Sequence, residues 1–321
     1  QLVIREEAHF ADTTDPAGGA WYPENLTAEL AEKAWDIFRD IEKSGGMLRS
    51  IISGKPQADV KEVFESRMKN LRKRKDVMVG TNKYPNMNEK PVNPLLFEEE
   101  RFIKTRRNNI ETHIKNRDSA KCGTALSDLS AAVEKGEMMP KAVEAAENGA
   151  LLGELADAMK QGSTECDMIK ITRFSEVFEE LRHKANDYEV RNGQPASAFL
   201  ANFGNLSDYK ARADFSADFL RVGGLDIEPT KGFDKIEDAA KAYFETGHPV
   251  VVICSSDDKY PEIVPEFARL VKKGKPLATI VLAGYPKDNI EKFKEAGVDE
   301  FIHIRADIYD ILSRLQNKIG M

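Results

Sequence analysis

Val250-Val251-Val252-Ile253-Cys254 runs directly into Ser255-Ser256-Asp257-Asp258, and a helical pattern follows over residues 261–273. A short apolar run bounded by turn-forming residues reads as a strand buried on both faces. The same unit recurs on either side. Apolar runs at 198–203, 225–227, 279–283 and 301–304 alternate with helical patterns at 209–222, 234–246, 287–296 and 307–319. Five βα units of about 25 residues each imply a parallel sheet with helices on both faces.

The size of these units suits a flavodoxin-like strand order, 2-1-3-4-5, and an α/β fold over residues 197–321. Ligands in such sheets bind beyond the carboxyl ends of the strands. The loops at 204–208, 255–260 and 284–287 are therefore the places to look for a site.

Two further segments precede this one. Residues 1–94 open with turn chemistry at Asp15-Pro16-Ala17-Gly18-Gly19. Leu30, Ala34, Ile37, Phe38 and Ile41 then mark one face of a helix that starts near Thr27 and reaches Gly45-Gly46. A second helix is predicted over 59–75, a short strand at Val77-Met78-Val79-Gly80, and a loop over 85–94. Residues 95–196 are predicted to form a helical linker, with helices over 97–121, 126–135 and 141–161 and a further apolar face at Phe174, Val177, Phe178 and Leu181.

Bulk properties narrow the function. The chain has 321 residues and a formal charge of −7, which does not point to nucleic acid. The basic run at 67–75 reads as the solvated face of a helix. Cys122, Cys166 and Cys254 are far apart and form no metal spacing with His, which fits a reduced, cytoplasmic setting. No window approaches a membrane span and no signal pattern opens the chain. Gln1 stands where a Met would begin a complete protein, so the chain reads as a piece of a longer one.

Candidate chemistry is sparse. Gly45-Gly46 and Gly223-Gly224 read as helix-end glycines, and neither GxGxxG nor GxxxxGK[ST] occurs. The Ser255-Ser256-Asp257-Asp258 turn reads as a helix cap ahead of a metal site. His303 falls within an apolar run and reads as a satisfied core group. His9, His113, His183 and His248 are scattered, and no Ser/His/Asp or Cys/His grouping emerges.

Residues 15–22 (DPAGGAWY), Leu26-Thr27 and the helix ending in Gly45-Gly46-Met47 resemble methylmalonyl-CoA mutase just after its catalytic barrel. Val79-Gly80-Thr81-Asn82-Lys83-Tyr84 is similar to the family's VGVNKY segment. The resemblance extends over the whole chain as post-barrel segment, helical linker and cobalamin-type domain. It implies a subunit of an adenosylcobalamin-dependent isomerase that interconverts methylmalonyl-CoA and succinyl-CoA in propionate metabolism.

The family's cobalamin domain carries DxHxxG, SxL and GG, in which His ligates cobalt, Asp orients that His, and Ser and the glycines line the slot for the nucleotide tail. Laid on this chain, the pattern places Ser207 at the Asp, Tyr209 at the His and Arg212 at the Gly. The 41 residues after Arg212 end at Ile253, so SxL falls on Cys254-Ser255-Ser256, and 26 residues later GG falls on Ala283-Gly284. Tyr offers no imidazole nitrogen, Ser207 no orienting carboxylate, and Arg212 and Ala283 put side chains where the tail needs close backbone approach.

The resemblance therefore implies the small, non-catalytic subunit, with no cofactor bound by this chain, no catalytic residue in it, and adenosylcobalamin in a large catalytic subunit as its heterodimer partner. Two other readings stand beside this one. The last domain could be a flavodoxin-like binding module for a nucleotide or CoA-type ligand, or a cobalamin protein with an unusual axial ligand.

Overall fold

The computed structural model describes residues 1–89, 99–133, 135–160, 164–228 and 230–321. Along the chain come the helices α1 (Leu2–Glu6), α2 (Trp21–Lys43), α3 (Gly46–Ser53), α4 (Lys55–Arg72), α5 (Glu99–Asn116), α6 (Ser119–Val133), α7 (Met138–Glu147), α8 (Leu152–Ala158) and α9 (Glu176–Asn192). The alternating part follows as β1 (Ser197–Phe203), α10 (Leu206–Val222), β2 (Asp226–Glu228), β3 (Gly232–Phe233), α11 (Ile236–Glu245), β4 (Val250–Cys254), α12 (Tyr260–Gly274), β5 (Thr279–Ala283), α13 (Ile290–Glu295), β6 (Glu300–Ile302) and α14 (Ile308–Ile319). Two compact units form: Gln1–Gln57 with Pro91–Met168, and Ala58–Lys90 with Ile169–Met321.

The second unit carries the expected α/β fold. Its sheet runs β2-β1-β4-β5-β6 and every pairing is parallel. The short β3, which sequence reading missed, pairs with the end of β1 beyond the part paired with β2. β2 and β3 thus share one strand position, and the order is the flavodoxin-like one. Alternation along the strands divides the core. Ala198, Leu200, Val250, Val252, Cys254, Val281 and Ala283 face a cluster built with α9, α10 and α14. Phe199, Ala201, Val251, Ile253, Ile280 and Leu282 face a second cluster built with α11, α12 and α13. β4 and β5 are buried along their whole length, as the unbroken apolar runs require.

The segment 58–89 is fastened to this unit by polar contacts. Arg72 pairs with Asp307 and Asp310, and Arg74 with Asp218. The basic run is solvated only in part: Arg67, Lys69 and Lys75 are exposed, while Arg72 and Arg74 are spent on intramolecular carboxylates. Nor do residues 77–80 form a strand. Asn82 is buried, donates to the carbonyls of Leu71 and Asp76 at 2.8 Å each, and accepts from Met78 N–H at 2.8 Å. That knot curls the segment into a turn with a single bridge between Val79 and Lys83.

In the first unit, breaks fall where the periodicity had suggested continuous helix. α5 stops at Asn116, because the Asp118 carboxylate accepts the N–H groups of Ala120 and Lys121 and starts α6 afresh. The helix expected over 141–161 divides at Asn148-Gly149, where Gly149 adopts φ +90°. The residues expected at 90–98, including Phe97, and at 161–163 lie outside the described residues.

The start of α8 is fixed by an ion pair. Arg117 donates to both oxygens of Glu154, at 2.5 and 2.7 Å, and Leu151 N–H donates to the same carboxylate at 2.9 Å. The Arg117 hydrogen bonds first, and the Leu151 N–H second, hold the Glu154 carboxyl at about 2, below its ordinary 4.5. A depressed carboxylate stabilises the fold above its unfolded value and loses that contribution as pH falls toward the folded one. We expect the helical signal of this unit to weaken between pH 4.5 and 2. Glu154→Gln should flatten that part of the acid titration followed by circular dichroism. An unchanged titration would mean that other carboxylates control the unit.

Candidate functional site

The carboxyl ends of β1, β4 and β5 meet the first turns of α10 and α12. Asn205 precedes α10, and its N–H donates to the Asp208 carboxylate at 2.8 Å. From the other side of the crevice Lys259 donates to Asp208 at 2.5 Å. The lysine first, then the Asn205 N–H, hold the Asp208 carboxyl below the usual carboxylate range. One turn further along α10, Arg212 pairs with Asp257 at 2.9 Å and donates to the Ala283 carbonyl at 2.5 Å.

Tyr260 completes this closure. Its side chain is fully buried, its hydroxyl donates to Ala283 O at 2.6 Å and accepts from Ser255 N–H at 3.2 Å, and the Arg212 guanidinium lies 5.3 Å from its ring centroid. Burial pushes the phenol up, so it stays a neutral donor. Ser255 is turned away from the crevice, donating to Phe203 O at 3.0 Å. Two charge pairs and a buried tyrosine thus join α10 to the loop after β4, across the switch point where a doubly wound sheet offers a ligand site.

Each position singled out in the sequence can be placed. Ser207 is exposed on the first turn of α10. Tyr209 packs toward the sheet edge, and a Cβ at Gly232 would stand 2.7 Å from its ring. Arg212, Ala283 and Gly284 come together, and a Cβ at Gly284 would stand 2.2 Å from the Arg212 guanidinium. Cys254 is buried, with Ser216 Oγ at 3.7 Å, and burial pushes its thiol up to about 12. Ser256 Oγ is buried beside the Asp258 carboxyl, which it helps hold below the usual carboxylate range. Ser207 and Tyr209 make no side-chain hydrogen bond to the Arg212 cluster among the described residues.

Two readings of single groups need correction. The Ser255–Asp258 turn does not cap α12 through a side chain, because Lys259 is the N-cap residue without a side-chain cap bond and Asp257 is engaged by Arg212. His303 is not a core group. It follows β6, is only partly buried, and its ring lies 4.7 Å from that of Tyr285. Among the described residues no group of three or more His, Cys, Asp or Glu side chains is placed to hold a metal ion. Cys122, Cys166 and Cys254 are free thiols. No described helix is long and apolar enough to cross a membrane. The roles of Asp257, Lys259 and Tyr260 were missed in the sequence, where they carry no motif.

A doubly wound α/β unit whose switch-point crevice is bridged by two charge pairs and a buried tyrosine defines the class structurally. The methylmalonyl-CoA mutase family model matches residues 1–165, and the chain belongs to that family. It is 28% identical over 316 residues to the methylmalonyl-CoA mutase of Rhizobium meliloti (strain 1021), covering 93% of this chain and 44% of that protein. It is 26% identical over 319 residues to the mutase small subunit of Streptomyces virginiae, covering 99% of this chain and 40% of the relative. The mutase large subunit of Porphyromonas gingivalis (strain ATCC BAA-308 / W83) is 27% identical over 315 residues, covering 93% and 43%. Identity is nearly equal for the two subunit types, and the chain spans less than half the length of these relatives.

Proposed function

We propose that this chain is part of the small, non-catalytic subunit of a methylmalonyl-CoA mutase. Its role is structural: it supports a large subunit that holds adenosylcobalamin and carries out the rearrangement of methylmalonyl-CoA and succinyl-CoA in the cytoplasm. The contacts that cross the crevice carry this reading. A cobalamin tail needs close backbone approach at Ala283-Gly284, and there the Arg212 guanidinium stands beside Gly284 while Arg212 and Tyr260 both bond to Ala283 O. Neither a ligating imidazole nor an orienting carboxylate stands at Tyr209 and Ser207. Relatives named as small and as large subunits support a two-subunit assembly. Absorbance titration with adenosylcobalamin tests the reading. No change in the cofactor spectrum is expected, and a stoichiometric base-off spectrum would overturn it.

A partner is also part of this proposal. α2 has no buried residue, and Trp21, Tyr22, Leu30, Trp35 and Phe38 are all at least half exposed on it. Trp35 and Phe38 stack at 5.1 Å. Aromatic side chains are frequent interface anchors. In a full-length small subunit co-expressed with its large subunit, Trp21→Ala with Trp35→Ala should reduce co-purification at least about tenfold, on the scale of lost anchors. Unchanged co-purification of a folded variant would place these residues against the chain's own remaining structure instead.

A further inference from the structure

We infer that the cavity beside α10 is a binding site for a small apolar monocarboxylate. It has a volume of about 400 Å³, within the size range of small-molecule sites, and lies over the ends of β5 and β6. Phe215, Ala283, Tyr285, Ile302 and Ile304 give it an almost wholly apolar lining. Three lining side chains carry polar groups, Arg212, Tyr285 and His303, and each can donate. His303 Nδ1 accepts from Arg305 N–H at 3.2 Å, which leaves the ring proton on Nε2. Burial first, and the Arg305 charge second, push the imidazole down, so it offers an N–H without competing for a proton.

An apolar cavity with a guanidinium and a neutral N–H donor complements a molecule with a hydrophobic body and one anionic acceptor. A guanidinium binds carboxylates in a planar, two-point geometry. The carboxylate that now meets Arg212 belongs to Asp257, whose side chain is 64% exposed. Solvent around the exposed Asp257 carboxylate screens this pair and weakens it. A ligand carboxylate can replace Asp257 while its body covers Phe215 and Ile302, leaving the Arg212 bond to Ala283 O in place. Asp208 does not compete, because Lys259 holds it.

Benzoate and its neutral analogue benzyl alcohol are suitable probes, with binding to the intact chain read by calorimetry and saturation-transfer NMR. Benzoate should bind more tightly than benzyl alcohol. Asp257→Asn should tighten benzoate about three- to tenfold by removing the competing carboxylate, with little effect on the alcohol. Ala211→Trp, at an exposed position on the cavity rim, should weaken both probes without loss of helical signal. Equal affinity for the two probes, no gain from Asp257→Asn, or benzoate binding that ignores Ala211→Trp would each overturn the assignment. None of these outcomes depends on the subunit assignment, which the cobalamin titration tests separately.

Discussion

Tyr260→Ala will destabilise the α/β unit by about 3–5 kcal/mol, the range for truncating a large buried aromatic side chain. Tyr260 is fully buried in the cluster formed with Phe267, Val264 and Phe293. Its hydroxyl also serves the Ala283 carbonyl and the Ser255 N–H. Truncation leaves a cavity and deprives Ser255 N–H, in a fully buried residue, of its acceptor. Tyr260→Phe separates the two effects. The ring stays, Ala283 O keeps Arg212, and the cost should fall to about 1–3 kcal/mol for the orphaned donor. Both tryptophans lie in the other unit, so their fluorescence is a poor reporter here. Hydrogen exchange at the β4 and β5 amides during urea unfolding is the suitable measurement. A loss below about 1 kcal/mol for Tyr260→Ala, smaller than any cavity-forming change of this kind, would show that the residue is not part of the core closure.

The sheet was legible because its signal is local. Runs such as Val250–Cys254 and Thr279–Ala283 are apolar throughout, and only a strand covered on both faces tolerates that. The two-residue β3 escaped because Gly232-Phe233 is too short to carry a period. Helix breaks escaped because they depend on one carboxylate at Asp118 and one left-handed glycine at Gly149, inside segments whose apolar spacing never falters. In the segment 58–89 the helix was legible, but the strand at 77–80 and a wholly solvated basic run were not what formed. Its real organisation rests on Arg72, Arg74 and Asn82 meeting partners far along the chain or on backbone carbonyls, and no periodicity encodes such contacts.

The candidate site divides in the same way. The pattern comparison brought Arg212, Ala283 and Gly284 together, and in the fold they are in contact. What the pattern could not contain is the replacement for the missing ligand groups. Tyr260 sits at the first residue of α12 and looks like an ordinary start to an amphipathic helix. Asp257 and Lys259 look like turn residues. Their role appears only when the loop after β4 folds against α10, which is a tertiary event.

That closure sets the second large expectation. Ser207→Asp with Tyr209→His, which restores the ligating and orienting groups, will not restore cobalamin binding. Tyr209 packs over Gly232, so an imidazole placed there starts from a position against the sheet edge. More decisive is the tail slot. Arg212 occupies the space beside Gly284, bonded to Ala283 O and Asp257, and Tyr260 closes the same carbonyl from the other side. A ligand must displace both a charge-assisted hydrogen bond and a fully buried ring before it gains any contact. Adding Arg212→Gly removes the first obstacle at little cost to Asp257, which is already 64% exposed. The Tyr260 obstacle remains, so the triple variant should bind no better than weakly. Absorbance titration should therefore show an unshifted spectrum for the double variant. A stoichiometric His-on spectrum from the double variant alone would mean that Arg212 and Tyr260 move aside freely, and that the missing imidazole, not the filled slot, is what excludes the cofactor.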